Sequence, residues 1–143
     1  MAVLARASLT ELEAAWRSVA APHAFRWLRK PETGLAMLRG RTGGSGAKFN
    51  LGEASMTRCT LRRADEHGAG RTGVAYVLGR NHRQAELAAQ FDLLMQDPAW
   101  AATIDRTVIA RLLAAQEARR IAASCKAAAT RVEFFTVARG ENP

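Results

Sequence analysis

The stretch TGVAYVLGRNHRQAELAAQFDLLMQDP, residues 72–98, changes its apolar period part-way along, and that change decides the fold class. As far as Leu78 the pattern alternates, with Val74, Tyr76 and Leu78 on one side of a strand. Beyond Asn81 the spacing turns helical. Leu87, Ala88, Phe91, Leu94 and Met95 form one stripe, Asn81 stands as N-cap, and Asp97-Pro98 ends the element.

Upstream, KFNLGEASMTRCTLRR (48–63) alternates small or apolar with polar residues and reads as a strand bent near Gly52. RADEHGAGR (63–71) has no periodicity and marks an exposed loop. FRWLRK (25–30), closed by Pro31, and GLAMLRGR (34–41) are two further strands, joined as a hairpin turning through Glu32, Thr33 and Gly34. SLTELEAAWRSVAA (8–21) opens a helix: Ser8 and Glu11 have capping-box spacing, Leu12, Ala15, Trp16 and Val19 share a face, and Pro22 ends it.

Downstream, WAATIDRTVIARLL (100–113) is ambiguous, because its β-branched residues favour a strand and its flanks favour a helix. The alanine-dense AAQEARRIAASCKAAAT (114–130) is helical, and RVEFFTVARG (131–140) is either its continuation or a closing strand, with Gly140 as the stop. In that tail Val132, Phe134 and Phe135 crowd both faces of any strand and mark a partner-docking candidate. The order predicts an α+β fold, an about four-stranded, mainly antiparallel sheet with helices packed on one face, in a single domain spanning 1–143.

At 143 residues and 48% hydrophobic content, the chain can bury an adequate core. No apolar run approaches the roughly 20 residues of a membrane span, and Arg6 with Glu11 and Glu13 spoils a signal peptide, so a cytoplasmic location is expected. Cys59 and Cys125 lack metal-ligand spacing and read as buried free thiols; no metal site is expected. The net charge is +8, carried by 18 Arg and only three Lys. That bias suits phosphorylated ligands or an acidic partner, and it equally suits a GC-rich coding sequence. The arginines are dispersed and aromatic residues make up 6%, which argues against nucleic acid.

Two short stretches are candidates for binding. RGRTGGSGAKFN (39–50) sets Gly43, Gly44 and Gly46 between Arg41 and Lys48, but Ala47 and Phe49 break the Walker spacing and a strand follows instead of a helix. It is a phosphate cradle of another kind or a hairpin connection. GRNHR (79–83) puts Arg80, His82 and Arg83 at a strand-to-helix junction, where first-turn N–H groups favour anions; as plain cap and surface residues they would look the same. His67 is a solvated loop residue, and no nucleophile, base and orienter set is evident.

Taken in order, PETGL, GRTGGSGAKFNLGEASMTRCTLR, YVLGRNHRQAELAAQFDLLMQ and RVEFFTVARGEN resemble the G subunit of the bacterial carbon–phosphorus lyase (phosphonate utilisation) system, over about residues 30–142. The resemblance implies a subunit role in phosphonate catabolism, in a core complex with PhnI as the foremost partner and PhnH and PhnJ beside it. The reaction it implies is displacement of adenine from ATP by methylphosphonate, giving α-D-ribose 1-methylphosphonate 5-triphosphate, with nucleosidase chemistry assigned to PhnI and later C–P cleavage to the iron–sulfur PhnJ. ATP is then a substrate of the assembly, and no cofactor is bound by this chain alone. Candidate ligand- or partner-binding residues are Thr33, Gly34, Arg41, Gly43, Gly44, Gly46, Arg80, His82, Arg83 and Arg139, with no catalytic residue assigned. The competing reading is a standalone basic RNA-binding module, for which strongly salt-dependent RNA affinity would be diagnostic.

Overall fold

A computed structural model describes residues 1–19, 24–63 and 70–132. The elements are α1 (Ala2–Arg6), α2 (Leu9–Ser18), β1 (Arg26–Arg41), β2 (Lys48–Arg63), β3 (Arg71–Leu78), α3 (His82–Met95), α4 (Pro98–Ile104) and α5 (Ala110–Ala129). A π-helical turn, Asp105–Ile109, joins α4 to α5. The strands form an antiparallel sheet in the order β1-β2-β3, so the fold is α+β.

Among the described residues there are three strands, not four, because the expected hairpin at Glu32–Gly34 does not form. β1 runs straight through it, with Thr33 opposite Thr57 and Gly34 opposite Met56. Pro31 is tolerated because β1 is an edge strand, where a missing N–H breaks no ladder on the outer side, and a register shift between Arg29 and Glu32 absorbs the irregularity.

One face of the sheet packs on α3. Thr57, Cys59 and Leu61 of β2 stand opposite Val77, Ala75 and Gly73 of β3, and these side chains point to the helix. The face predicted for β3 is thus the outer one, since Tyr76 and Leu78 are exposed. The reason is close approach: a Cβ on Gly73 would overlap the Ala89 carbonyl oxygen and lie 2.6 Å from Leu93 Cβ. Small residues on both sides let an alanine-bearing helix settle directly on the strands.

The predicted stripe of α3 is buried at Leu87, Ala88, Phe91 and Leu94, with Met95 half-buried. Burial extends round to Ala85, Ala89 and Leu93 because α3 is covered on two sides: Ala89 and Leu93 lie against Gly73 of the sheet, and Trp16 of α2 meets Phe91 edge-on at 5.3 Å between centroids. Both predicted caps form. Ser8 Oγ accepts from Glu11 N at 3.3 Å while Glu11 Oε2 accepts from Ser8 N at 2.8 Å, and Asn81 Oδ1 accepts from Gln84 N at 3.0 Å.

Asp97-Pro98 both follows α3 and starts α4, with Asp97 Oδ1 accepting from Ala99 N and Pro98 in the first turn. The ambiguous 100–113 stretch is helical. Ile104 and Val108, four residues apart, are fully buried, and that burial outweighs the strand preference of β-branched residues. α5 docks through buried Leu112, through Gln116 Nε2 donating to the Val3 carbonyl at 2.8 Å, and through an Arg119–Glu11 ion pair of 2.8 Å. Arg119, followed by the Ser8 backbone, holds the Glu11 carboxyl down from 4.5 to about 2. From Glu117 to Ala129 the helix is open or only half-covered. Residues 133–140 of the predicted tail, with Phe134, Phe135 and Gly140, lie outside the described residues.

The two edges of the sheet differ. On β3, Val74 N donates to Asp92 Oδ2 at 3.0 Å and the Thr72 carbonyl accepts from Gln96 Nε2 at 2.8 Å, so side chains of α3 and its C-cap cover part of that edge. Among the described residues β1 has no such cover, and beyond Gly34 and Met56 the paired strands project as a bare arm closed by the glycine turn. No helix among the described residues is long and apolar enough to cross a membrane.

Candidate functional site

Where the β2–β3 ladder ends, Gly79 takes φ 95° and turns the chain toward α3, its N–H donating to the Ser55 carbonyl at 2.8 Å. The turn lays the first residue of α3, His82, beside Thr33 in the middle of β1. His82 Nε2 lies 3.1 Å from Thr33 Oγ1, Thr33 Oγ1 lies 3.0 Å from Thr57 Oγ1, and Thr57 Oγ1 donates to the Gly79 carbonyl at 2.7 Å.

The order of donors in this relay is forced. A carbonyl only accepts, so the single Thr57 hydroxyl proton goes to Gly79. Thr33 must then donate to Thr57 and accept from His82, which assigns a proton to His82 Nε2 and leaves Nδ1 as the lone-pair nitrogen of the neutral ring. Thr57 is fully buried and each of its contacts is satisfied, so the relay couples the core to a surface imidazole.

Around it, Arg80 Nε reaches Ser55 Oγ at 3.4 Å, and Arg83 pairs with Glu86 at 2.8 Å. On the strand beside Thr33, Glu32 Oε1 accepts from both Arg29 and Arg58 at 2.6 Å, and these two guanidinium groups, Arg29 foremost, hold its carboxyl below the usual range. The structure therefore brings Thr33, with Gly34 next to it, against His82, and sets Arg80 beside Ser55 at the same junction, whereas Arg83 turns to Glu86 and to a cleft lined by Glu13, Trp16 and Arg17 of α2.

Arg41, Gly43, Gly44 and Gly46 do not join them. They sit at the tip of the arm, seven residues along β1 from Gly34, which at roughly 3.3 Å per residue is about 23 Å away. Gly43 and Gly44 have φ 58° and 82°, and a Cβ on Gly46 would lie 2.8 Å from the Thr42 carbonyl oxygen. The Arg41 guanidinium donates to the Gly46 carbonyl at 2.9 Å. The hairpin connection thus needs its glycines on backbone grounds alone. Arg139 lies outside the described residues.

Sequence reasoning missed Thr57 and Ser55. The available signal was Thr57 in phase with Cys59 and Leu61, a polar residue on the buried side of β2 that needs a partner. Cys59 is buried as expected, its thiol pushed up to about 12 by burial and then by the Glu86 charge, whereas Cys125 is exposed, because α5 leaves the core before reaching it. Among the described residues no cluster of three His, Cys, Asp or Glu could hold a metal.

The sequence profile of a family described as phosphonate metabolism protein PhnG matches residues 1–140. The chain belongs to the PhnG family. A PhnG relative from Rhizobium meliloti (strain 1021), named alpha-D-ribose 1-methylphosphonate 5-triphosphate synthase subunit PhnG, is 45% identical over 145 residues, covering 99% of this chain and 88% of that protein. The PhnG match begins at residue 1 and so takes in α1 and α2, which the resemblance in sequence segments did not reach.

Proposed function

We propose that this chain is a non-autonomous subunit of the assembly that makes α-D-ribose 1-methylphosphonate 5-triphosphate from ATP and methylphosphonate in phosphonate catabolism. The observation that carries the reading is 45% identity, over 99% of the chain, to a protein named as a subunit of that synthase. Two features support it. Among the described residues the junction offers a surface imidazole and the Arg80 guanidinium without a nucleophile and base in contact, and much of the sheet is uncovered.

PhnI is the foremost partner, with PhnH and PhnJ in the same cytoplasmic core. In this reading Thr33, Arg80, His82 and Arg83 contact ligand or partner only in the assembled state, where charge-assisted donors meet a phosphorylated substrate or a carboxylate. The test is adenine release from ATP and methylphosphonate by the purified chain alone and with PhnI, PhnH and PhnJ. Release is expected only with the partners. Turnover by the chain alone, or undiminished turnover by the partners without it, would overturn the proposal.

A further inference from the structure

Among the described residues, the arm formed by residues 34–41 and 48–56 projects beyond every helix, and its apolar side chains are open to solvent on both faces. Leu35, Met37 and Leu51 are 66%, 52% and 62% exposed. Leu35 and Met37 share the helix-side face with Thr33, while Leu38, opposite Gly52, points the other way. Such side chains are ordinary singly; gathered on one ribbon they make a patch that a soluble chain does not carry without a use.

The outer edge of β1 compounds this. The window Thr33–Leu38, TGLAML, is uncharged, free of proline and lies on an open edge, the combination that invites pairing by another strand. The contrast with β3 is instructive, because there Asp92 and Gln96 occupy the edge groups. Among the described residues, one edge is partly covered by side chains and the other has no such cover.

We infer that the arm is the docking element of the chain, clasped by a partner protein that presents an apolar cleft rimmed with carboxylates and pairs an extended segment with the β1 edge. The charge pattern selects this occupant. Arg39, Arg41 and Lys48 cluster at the tip against Glu53 alone, and among the described residues none of the three cations is in an ion pair. A second copy would bring like charge to like, on chains of net charge +8. For nucleic acid the arm has the wrong interior, aliphatic side chains with Phe49 as its one stacking ring. The inference rests on the subunit reading above.

The test compares the wild-type chain, the arm variant Leu35→Ser/Met37→Ser and the α5 variant Leu113→Ser/Ile121→Ser in binding the purified PhnI, PhnH and PhnJ assembly. All four positions are exposed, so all three chains should melt alike. The arm variant should bind at least 100-fold more weakly, and the α5 variant within threefold of wild type. In the wild-type complex, amide exchange across Thr33–Leu38 should slow at least 100-fold relative to the free chain, and this readout decides should the arm variant fail to fold. Wild-type affinity in a folded arm variant, or exchange unchanged on binding, would overturn the arm while leaving the subunit reading intact. A wild-type chain that dimerises through the arm would replace the partner by a second copy. No binding of the wild-type chain to the assembly would overturn the subunit reading, and the arm with it.

Discussion

β2 is one strand with two environments. At its C-terminal end Thr57, Cys59 and Leu61 are buried under α3, and at its N-terminal end Phe49 and Leu51 stand in solvent. Composition does not distinguish the two ends; cover does. The helix reaches only as far as β3 supports it, and the ladder with β3 begins at Met56, extended by one bond from Gly79 to Ser55, so among the described residues everything before Ser55 is paired with β1 alone. A two-stranded ribbon is only marginally stable by itself, and this one is held by its continuation into the covered half.

Glycine substitutions should separate the covered and bare halves most strongly. Gly73→Ala pushes a methyl into the Ala89 carbonyl and Leu93, and should destabilise the chain by about 3 kcal/mol in urea unfolding. Gly34→Ala, with nothing within 4 Å of the added methyl, should stay within about 0.5 kcal/mol of wild type. Equal losses at both positions would mean that the arm is packed as tightly as the core.

The relay sharpens the boundary between the two halves. Thr57→Val removes the buried hydroxyl that serves Gly79 and Thr33, and should cost about 1–3 kcal/mol. In the wild-type chain, nitrogen-15 NMR of the neutral ring should show His82 protonated at Nε2, and Thr33→Val should lose that bias. A wild-type ring protonated mainly at Nδ1 would contradict the donor order.

At the tip the effect is smaller. Gly43→Ala and Gly44→Ala each place a side chain at positive φ without any clash, and should cost about 1 kcal/mol apiece in thermal unfolding. If either variant also lowers adenine release by the assembled complex beyond its folded fraction, the tip contacts ligand or partner; if activity follows the folded fraction, the glycines serve the turn.

The smallest effect is electrostatic and belongs to the covered side. Glu11 has its folded carboxyl depressed to about 2 from 4.5, so the Arg119 contact stabilises the fold above about pH 4.5 and is lost as pH falls toward 2. Arg119 is exposed and Glu11 only partly buried, so solvent screening should keep the change slight. Glu11→Gln should remove that part of the acid dependence, and an unaltered profile between pH 5 and 2 would show that α5 is not held there.

Much of this was legible in local chemistry. The Ser8 and Asn81 caps, the long strand 48–63 and the α3 stripe each rest on residues whose preferences act within one turn or one pleat. The errors came where distant packing decides. Pro31 and Gly34 look like a turn until β1 is known to be an edge, and Val74, Tyr76 and Leu78 look like the inward face until the small residues Gly73 and Ala75 are seen to admit α3. The Thr33–His82 contact joins residues 49 apart in sequence, and no local pattern announces it. By contrast, Arg41 and the loop glycines, which sequence reasoning grouped with the junction as candidates, lie at the opposite end of the arm.

The chain is expected to work as a subunit through the bare end of its sheet. The direct measurement is adenine release from ATP and methylphosphonate by PhnI, PhnH and PhnJ, supplemented with wild-type chain, with the Leu35→Ser/Met37→Ser variant, or with nothing. Full release with the wild-type chain, and release near the unsupplemented level with a folded arm variant at equal concentration, is the predicted result. Full release with the variant, or without any added chain, would contradict it.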